Sequence, residues 1–164
     1  MEINIKKVNE KAVLPIKGHS TDACFDLTCS NITTEIGEDG QLIIGYHSGV
    51  AMEIPEGYVG LVFPRSSIFK KSLSLTNCVG VIDSGYRGEI LAKFKTNTNV
   101  VPAVYKEGER FAQIMILPYP EIEFKEVTEL ESSDRGEGGF GSTGDKNTAE
   151  EQTNTEKVKC RCNL

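Results

Sequence analysis

The chain has 164 residues, 38% hydrophobic and 26% charged, which suits one compact domain and argues against wholesale disorder. Its formal net charge is -6, from 18 Lys+Arg against 24 Asp+Glu, and this excludes a protein built to grip a nucleic-acid backbone. Beyond Gly144 four acids (Asp145, Glu150, Glu151, Glu156) and four bases (Lys146, Lys157, Lys159, Arg161) cancel, so the whole charge belongs to the residues before them.

In chain order, the segment Ala23 to Leu27 comes first. It places Asp26 among apolar neighbours on a strand, where a carboxylate needs a cation or a metal-bound water as partner. Period-two alternation then marks strands over Gln41 to Ile44, Val50 to Ile54, Gly57 to Phe63, Glu89 to Thr96, Arg110 to Leu117 and Glu121 to Val127. Turn signals at Glu38-Asp39-Gly40, Pro55-Glu56-Gly57, Asp83-Ser84-Gly85 and Glu107-Gly108 separate them. One short helix is expected over Ser66 to Lys71. Many short strands at this spacing predict an all-β, antiparallel jelly-roll-like fold.

Three domain-level parts are expected: a β domain over 1–129, a glycine-rich arm over 130–144, and a disordered polar tail over 145–164. Five of the 16 glycines fall between Gly136 and Gly144. Such a stretch cannot build sheet or helix by itself. The five cysteines (Cys24, Cys29, Cys78, Cys160, Cys162) have no disulfide-framework spacing, and the opening MEINIKK lacks the apolar stretch of a signal peptide. No apolar run is long enough to span a membrane. A cytoplasmic protein is expected, with no membrane partner.

Several segments carry candidate chemistry. Gly136 to Gly141 has the letters of a dinucleotide fingerprint, but polar tail follows it where a helix is required, so that assignment fails. What remains is an N–H-rich segment with Arg135 at its start and Phe140 inside. It is either a plain linker or a wrap for an anion with a ring to lay on a flat base. In Phe63-Pro64-Arg65-Ser66-Ser67, Arg65 can fork onto a phosphate while two hydroxyls add donors, or Ser66 or Ser67 simply caps the helix. Between Asn77 and Glu89 two extended arms meet at Asp83-Ser84-Gly85, a hairpin in which Val79, Val81 and Ile82 partly bury Asp83. A carboxylate so placed is a candidate general base for water, although its residue type also suits a turn. Gln113, polar inside an apolar run, is expected to hydrogen-bond inward.

The segments ACFDL, PRSS, NCVGVIDSGYRGE, GERFAQ and RGEGGFGSTG, in this order between residues 23 and 144, resemble the five motifs of the homotrimeric dUTP pyrophosphatase (dUTPase) family. The resemblance implies a trimer whose three active sites lie at subunit junctions and hydrolyse dUTP to dUMP and pyrophosphate with Mg²⁺. Limiting uracil in DNA and supplying dUMP for dTMP synthesis would follow. It implies Asp83 as the base that orients water, with Asn77, Gly80, Val81 and Ile82 reading uracil and Tyr86 packing on the deoxyribose. Arg65, Ser66 and Ser67 would hold phosphates, with Gln113 nearby. Asp26 would hydrogen-bond waters on Mg²⁺. Arg135 would reach the γ-phosphate, Phe140 would stack on uracil, and Gly141, Ser142 and Thr143 would cover the phosphate chain. Departures from the pattern are Cys24 and Ser67, where the family usually has Gly, and Glu109, where it often has Asp. The rivals are a dCTP deaminase-type or bifunctional relative, disfavoured by Asp83 with Tyr86 and Arg87, and a dUTP-binding regulatory protein.

Overall fold

A computed structural model of the chain describes residues 1–97 and 103–139. Two units divide it, Met1–Ile122 and Glu123–Leu164. Among its described residues the first is antiparallel β-structure with one 3-10 helix. Its strands are β1 (Asn4–Lys7), β2 (Phe25–Thr28), β3 (Asn31–Ile36), β4 (Leu42–His47), β5 (Val50–Glu53), β6 (Tyr58–Pro64), β7 (Leu73–Leu75), β8 (Gly80–Ile82), β9 (Leu91–Thr96) and β10 (Arg110–Pro118), with the helix at Ser66–Lys70.

Two four-stranded sheets carry the fold, in the orders β2-β10-β6-β8 and β3-β4-β9-β7, and β1 pairs with β5 in a third, two-stranded sheet. Alternation is clearest where one face of a strand meets the core and the other meets solvent. In β9, Ala92 and Phe94 are buried while Lys93 and Lys95 face out. At the centre Tyr46 stacks on Phe111 at 5.6 Å and meets Phe94 and Tyr105 edge-on, and such ring pairs add to their area burial. The buried Tyr46 hydroxyl is not orphaned, since it accepts the Tyr105 N–H at 3.1 Å.

Strand β10 positions the chemistry. It lies between β2 and β6, with Gln113 directly opposite Asp26 on one side and Phe63 on the other. The register against β2 shifts between Arg110 and Ala112, a bulge that buries the neighbours Phe111 and Ala112 together and re-aims Arg110.

One stretch of the chain departs from the sequence expectation. Glu121 to Val127 forms no strand among the described residues, although its apolar positions alternate. Ile122 and Phe124 remain 65% and 95% exposed. Alternation encodes a face and not a partner, and a strand without a partner leaves its backbone groups unpaired. Phe140 and the tail 145–164 lie outside the described residues.

Candidate active site

The first cluster forms around Asp26. Its side chain is 11% exposed, and Arg65 Nε donates to Oδ1 while Arg110 donates to Oδ2, both at 2.8 Å. The partner that the buried carboxylate requires is therefore a pair of guanidinium groups, and a metal-bound water is not needed to satisfy it. Sequence reasoning passes over Arg110. A buried carboxylate asks for a cation, but only the pairing of β10 with β2 brings this one to it. Asp26, Arg65, Ser66, Arg110 and Gln113 line one cleft of about 460 Å³. Gln113 Nε2 donates to the Pro64 carbonyl at 3.0 Å, which fixes its amide and leaves the second amide hydrogen unspent in that contact.

Neither Ser66 nor Ser67 caps the 3-10 helix. The cap position is Arg65, in extended conformation, with no side-chain cap hydrogen bond. Both serine hydroxyls are thus free of that duty. Glu109, also in this region, accepts the Lys106 N–H at 3.0 Å and faces Lys71, and these contacts hold its carboxyl below the usual range.

The second cluster belongs to β8 and the turn after it. Asn77, Gly80 and Ile82 line a cleft of about 240 Å³ together with Val62, Leu75 and Ala92. Gly80 packs closely there, since a Cβ would stand 3.2 Å from Val62 Cβ and Val62 would have to give by a few tenths of an ångström. Val81 points away and is 61% exposed.

Asp83 comes directly after Ile82. The sequence predicts it partly buried within a hairpin, and the structure corrects both points. Asp83 is exposed, and the two arms belong to different sheets, β8 pairing with β6 and β9 with β4 and β7. β8 pairs with β6 in one sheet and β9 lies between β4 and β7 in the other, so the turn is a crossing between sheets. It is closed by the Tyr86 N–H on the Asp83 carbonyl at 3.0 Å. The Tyr86 ring lies over Gly88, where any Cβ would collide with it. Asp83 and Tyr86 line neither of the two clefts.

In the second unit, Arg135 begins a tight local turn. Its Nε donates to the Gly138 carbonyl at 3.0 Å, and the Gly136 N–H donates to Ser133 O at 3.0 Å with φ at 53°. Phe140, Gly141, Ser142 and Thr143 lie outside the described residues.

The β-fold thus carries two clefts, one lined by Asn77, Gly80 and Ile82 and one by Asp26, Arg65 and Arg110. The family model of dUTPase matches residues 10–144, and the chain belongs to that family. A deoxyuridine 5'-triphosphate nucleotidohydrolase of Hydrogenobaculum sp. is 37% identical over 147 residues, 89% of this chain and 100% of the relative. One from Nautilia profundicola is 40% identical over 146 residues, covering 88% and 99%. Among solved structures, a dUTPase mutant of Staphylococcus bacteriophage 80alpha with dUpNHpp superposes with a TM-score of 0.72 at 31% identity, over 87% of this chain and 98% of that one. A dUTPase mutant from phage phi11 of S. aureus, which reveals the coordination of a structural Mg(II) ion, gives 0.68 at 28% identity over 80% and 100%. No helix among the described residues is long and apolar enough to cross a membrane.

Proposed function

We propose that the chain hydrolyses dUTP to dUMP and pyrophosphate by attack of water on the α-phosphorus, with Asp83 as the base. The observation that carries this is contiguity. Ile82 lines the base-sized cleft and the exposed carboxylate of Asp83 is the next residue, so a nucleobase held there brings its own sugar and phosphates toward Asp83.

The roles follow from the residues. Asn77 and the backbone of Gly80, Val81 and Ile82 read the uracil edge in a cleft too narrow for a thymine methyl, and Tyr86 packs on the deoxyribose where a 2'-hydroxyl would clash. Arg65 spends only Nε on Asp26, so its Nη groups remain to fork onto phosphate, aimed by that ion pair. Ser66, Ser67 and Gln113 add donors. Arg135 reaches the γ-phosphate, and the arm 130–144 closes over the nucleotide with Phe140 on uracil and Gly141, Ser142 and Thr143 along the phosphates.

Magnesium fits as a passenger of the triphosphate. Each Asp26 oxygen accepts one guanidinium hydrogen, which leaves a lone pair on each for a metal-bound water. Among the described residues no group of three or more His, Cys, Asp or Glu gathers to ligate an ion directly. Bound through the phosphates, Mg²⁺ supplies charge neutralisation during the displacement.

The site is shared among copies of the chain in a homotrimer. Asp83 stands open to solvent and outside the guanidinium cleft, whereas phosphoryl chemistry needs base, cations and water exclusion together. An open apolar groove of about 200 Å³, lined by Ile3, Ile5, Phe25 and Ile116 among others, also suits a contact with another copy. The reaction is tested by supplying Mg²⁺ with dUTP, dCTP, dTTP or UTP and following pyrophosphate and ammonia. Pyrophosphate from dUTP alone is expected. Ammonia from dCTP as the main product, or no release from dUTP, overturns the reading.

A further inference from the structure

His47 ends β4, and its ring joins two elements. Nδ1 lies 2.9 Å from Glu89 Oε2, and Nε2 lies 3.1 Å from Thr33 Oγ1. With Nδ1 donating to the carboxylate, Nε2 is left to accept from the Thr33 hydroxyl. The other Glu89 oxygen accepts the Gly49 N–H at 2.7 Å. Both side chains are mostly buried, His47 at 19% and Glu89 at 23% exposure. The sequence makes room for this arrangement. Gly45 faces Thr33 in the β3–β4 register, and a Cβ there would stand 2.5 Å from Thr33 Oγ1.

Glu89 closes the turn that bears Asp83 and Tyr86. On the near side of that turn, β8 is fixed by its ladder to β6 from Gly60 to Val62. On the far side, the Ile90 N–H donates to Val50 O at 2.9 Å and the Ile90 carbonyl accepts the Ser48 N–H at 3.2 Å. Glu89 extends this far anchor into the turn itself, because its carbonyl accepts the Tyr86 hydroxyl at 3.1 Å. A second brace runs from Arg87 to the Ser84 and Tyr86 carbonyls and to Glu53 at 3.3 Å. Its ion pair is about half exposed, at 53% and 52%, and such pairs hold little.

We propose that His47 is a positioning residue. By gripping Glu89 it sets where the Asp83–Tyr86 turn stands relative to the cleft of Asn77, Gly80 and Ile82, without touching the substrate. This rests on Asp83 as base and Tyr86 as sugar contact. The topology separates two effects. The cleft is walled by Gly80 and Ile82 of β8 and by Leu75 of β7 and Ala92 of β9, and these strands are held by backbone ladders, β8 to β6 and β9 to β4 and β7, rather than by the Glu89 side chain. Loosening Glu89 therefore displaces the base and the tyrosine while the nucleobase keeps its seat.

The test compares the wild-type full chain with His47→Leu, which removes the donor, and His47→Asn, whose amide places a donor near the position of Nδ1. In His47→Leu, kcat for dUTP falls about tenfold, KM stays within about twofold and preference for dUTP over UTP drops several-fold, the scale of a small misplacement of reacting groups. His47→Asn recovers most of kcat. The Tyr86 amide, bonded to Asp83 O, exchanges its hydrogen faster in His47→Leu and not in His47→Asn. Should His47→Leu not fold, His47→Gln keeps a group opposite Thr33, drops the Glu89 donor and gives the same readings. A kcat unchanged within about twofold overturns the proposal, as do parallel losses in kcat and stability that His47→Asn does not reverse. If the wild-type releases no pyrophosphate from dUTP, the functional reading fails separately. The exchange comparison then still decides whether His47 holds the turn, and equal exchange in all forms overturns that.

Discussion

Arg65 Nε donates to Asp26 Oδ1 at 2.8 Å across 39 positions of sequence. The contact exists because β10 stands between β2 and β6 and sets both in register, Gln113 opposite Asp26 and Ala112 opposite Pro64. Arg110 takes the second oxygen, so one carboxylate is shared by two cations and the cleft keeps a net positive charge from the three groups. The ion pair aims Arg65 and leaves its outer nitrogens free.

Replacing Asp26 with Ala strips both guanidinium groups of their partner. Arg65 is 26% exposed and Arg110 45%, so solvent compensates part of the loss. Stability is expected to fall by about 1–3 kcal/mol, the scale of losing hydrogen bonds to a charged group, read as a lowered urea midpoint. The KM for dUTP should rise about tenfold as Arg65 loses its aim, a ground-state effect. A variant with an unchanged midpoint and KM would show that the cluster is incidental.

Asp83→Asn tests the base. Asp83 is exposed and its side chain makes no hydrogen bond among the described residues, so folding does not depend on it. A lost general base lowers kcat by about 10² to 10⁴, and binding of a non-hydrolysable dUTP analogue should stay within a few-fold. Retained turnover would remove Asp83 from the role.

Stability should decline on the alkaline side. Burial pushes the Cys29 thiol from 9.0 up to about 11 and the Tyr46 phenol from 10.0 up to about 12. Both groups titrate earlier in the unfolded chain, which then binds fewer protons than the native one. Their contribution is complete below pH 9.0 and is lost as pH rises through about 11 for Cys29 and about 12 for Tyr46. The slope is up to about 1.4 kcal/mol per pH unit for each group. Urea midpoints measured from pH 8 upward, ~8 to 11 in steps, check this, and Cys29→Ala should flatten the decline between about 9 and 11. An equally steep decline in that variant would assign it elsewhere.

Much of the architecture was legible in the residues. Alternation located β4, β5, β6, β9 and β10, whose apolar residues reach the core. It missed β1 and β3, in each of which a single isoleucine is partly buried, and β7, whose three residues hold too little pattern to read. It overreached at Glu121 to Val127, whose alternating apolar residues find no partner strand among the described residues. The five motifs were legible too, and they carry the family. The partner of Asp26 was not. A buried carboxylate announces that it needs a cation, but which one depends on sheet register.

The sequence by itself determined the β-rich character, the order of the motifs and the residue types available for chemistry, since these depend on local period and identity. Only the tertiary structure decided that Arg65 and Arg110 share Asp26, that Asp83 stands exposed at a crossing between sheets, and that His47 grips Glu89 across 42 positions. Those contacts join residues far apart in the chain, and strand pairing, which no short stretch of sequence encodes, brings them within hydrogen-bond reach.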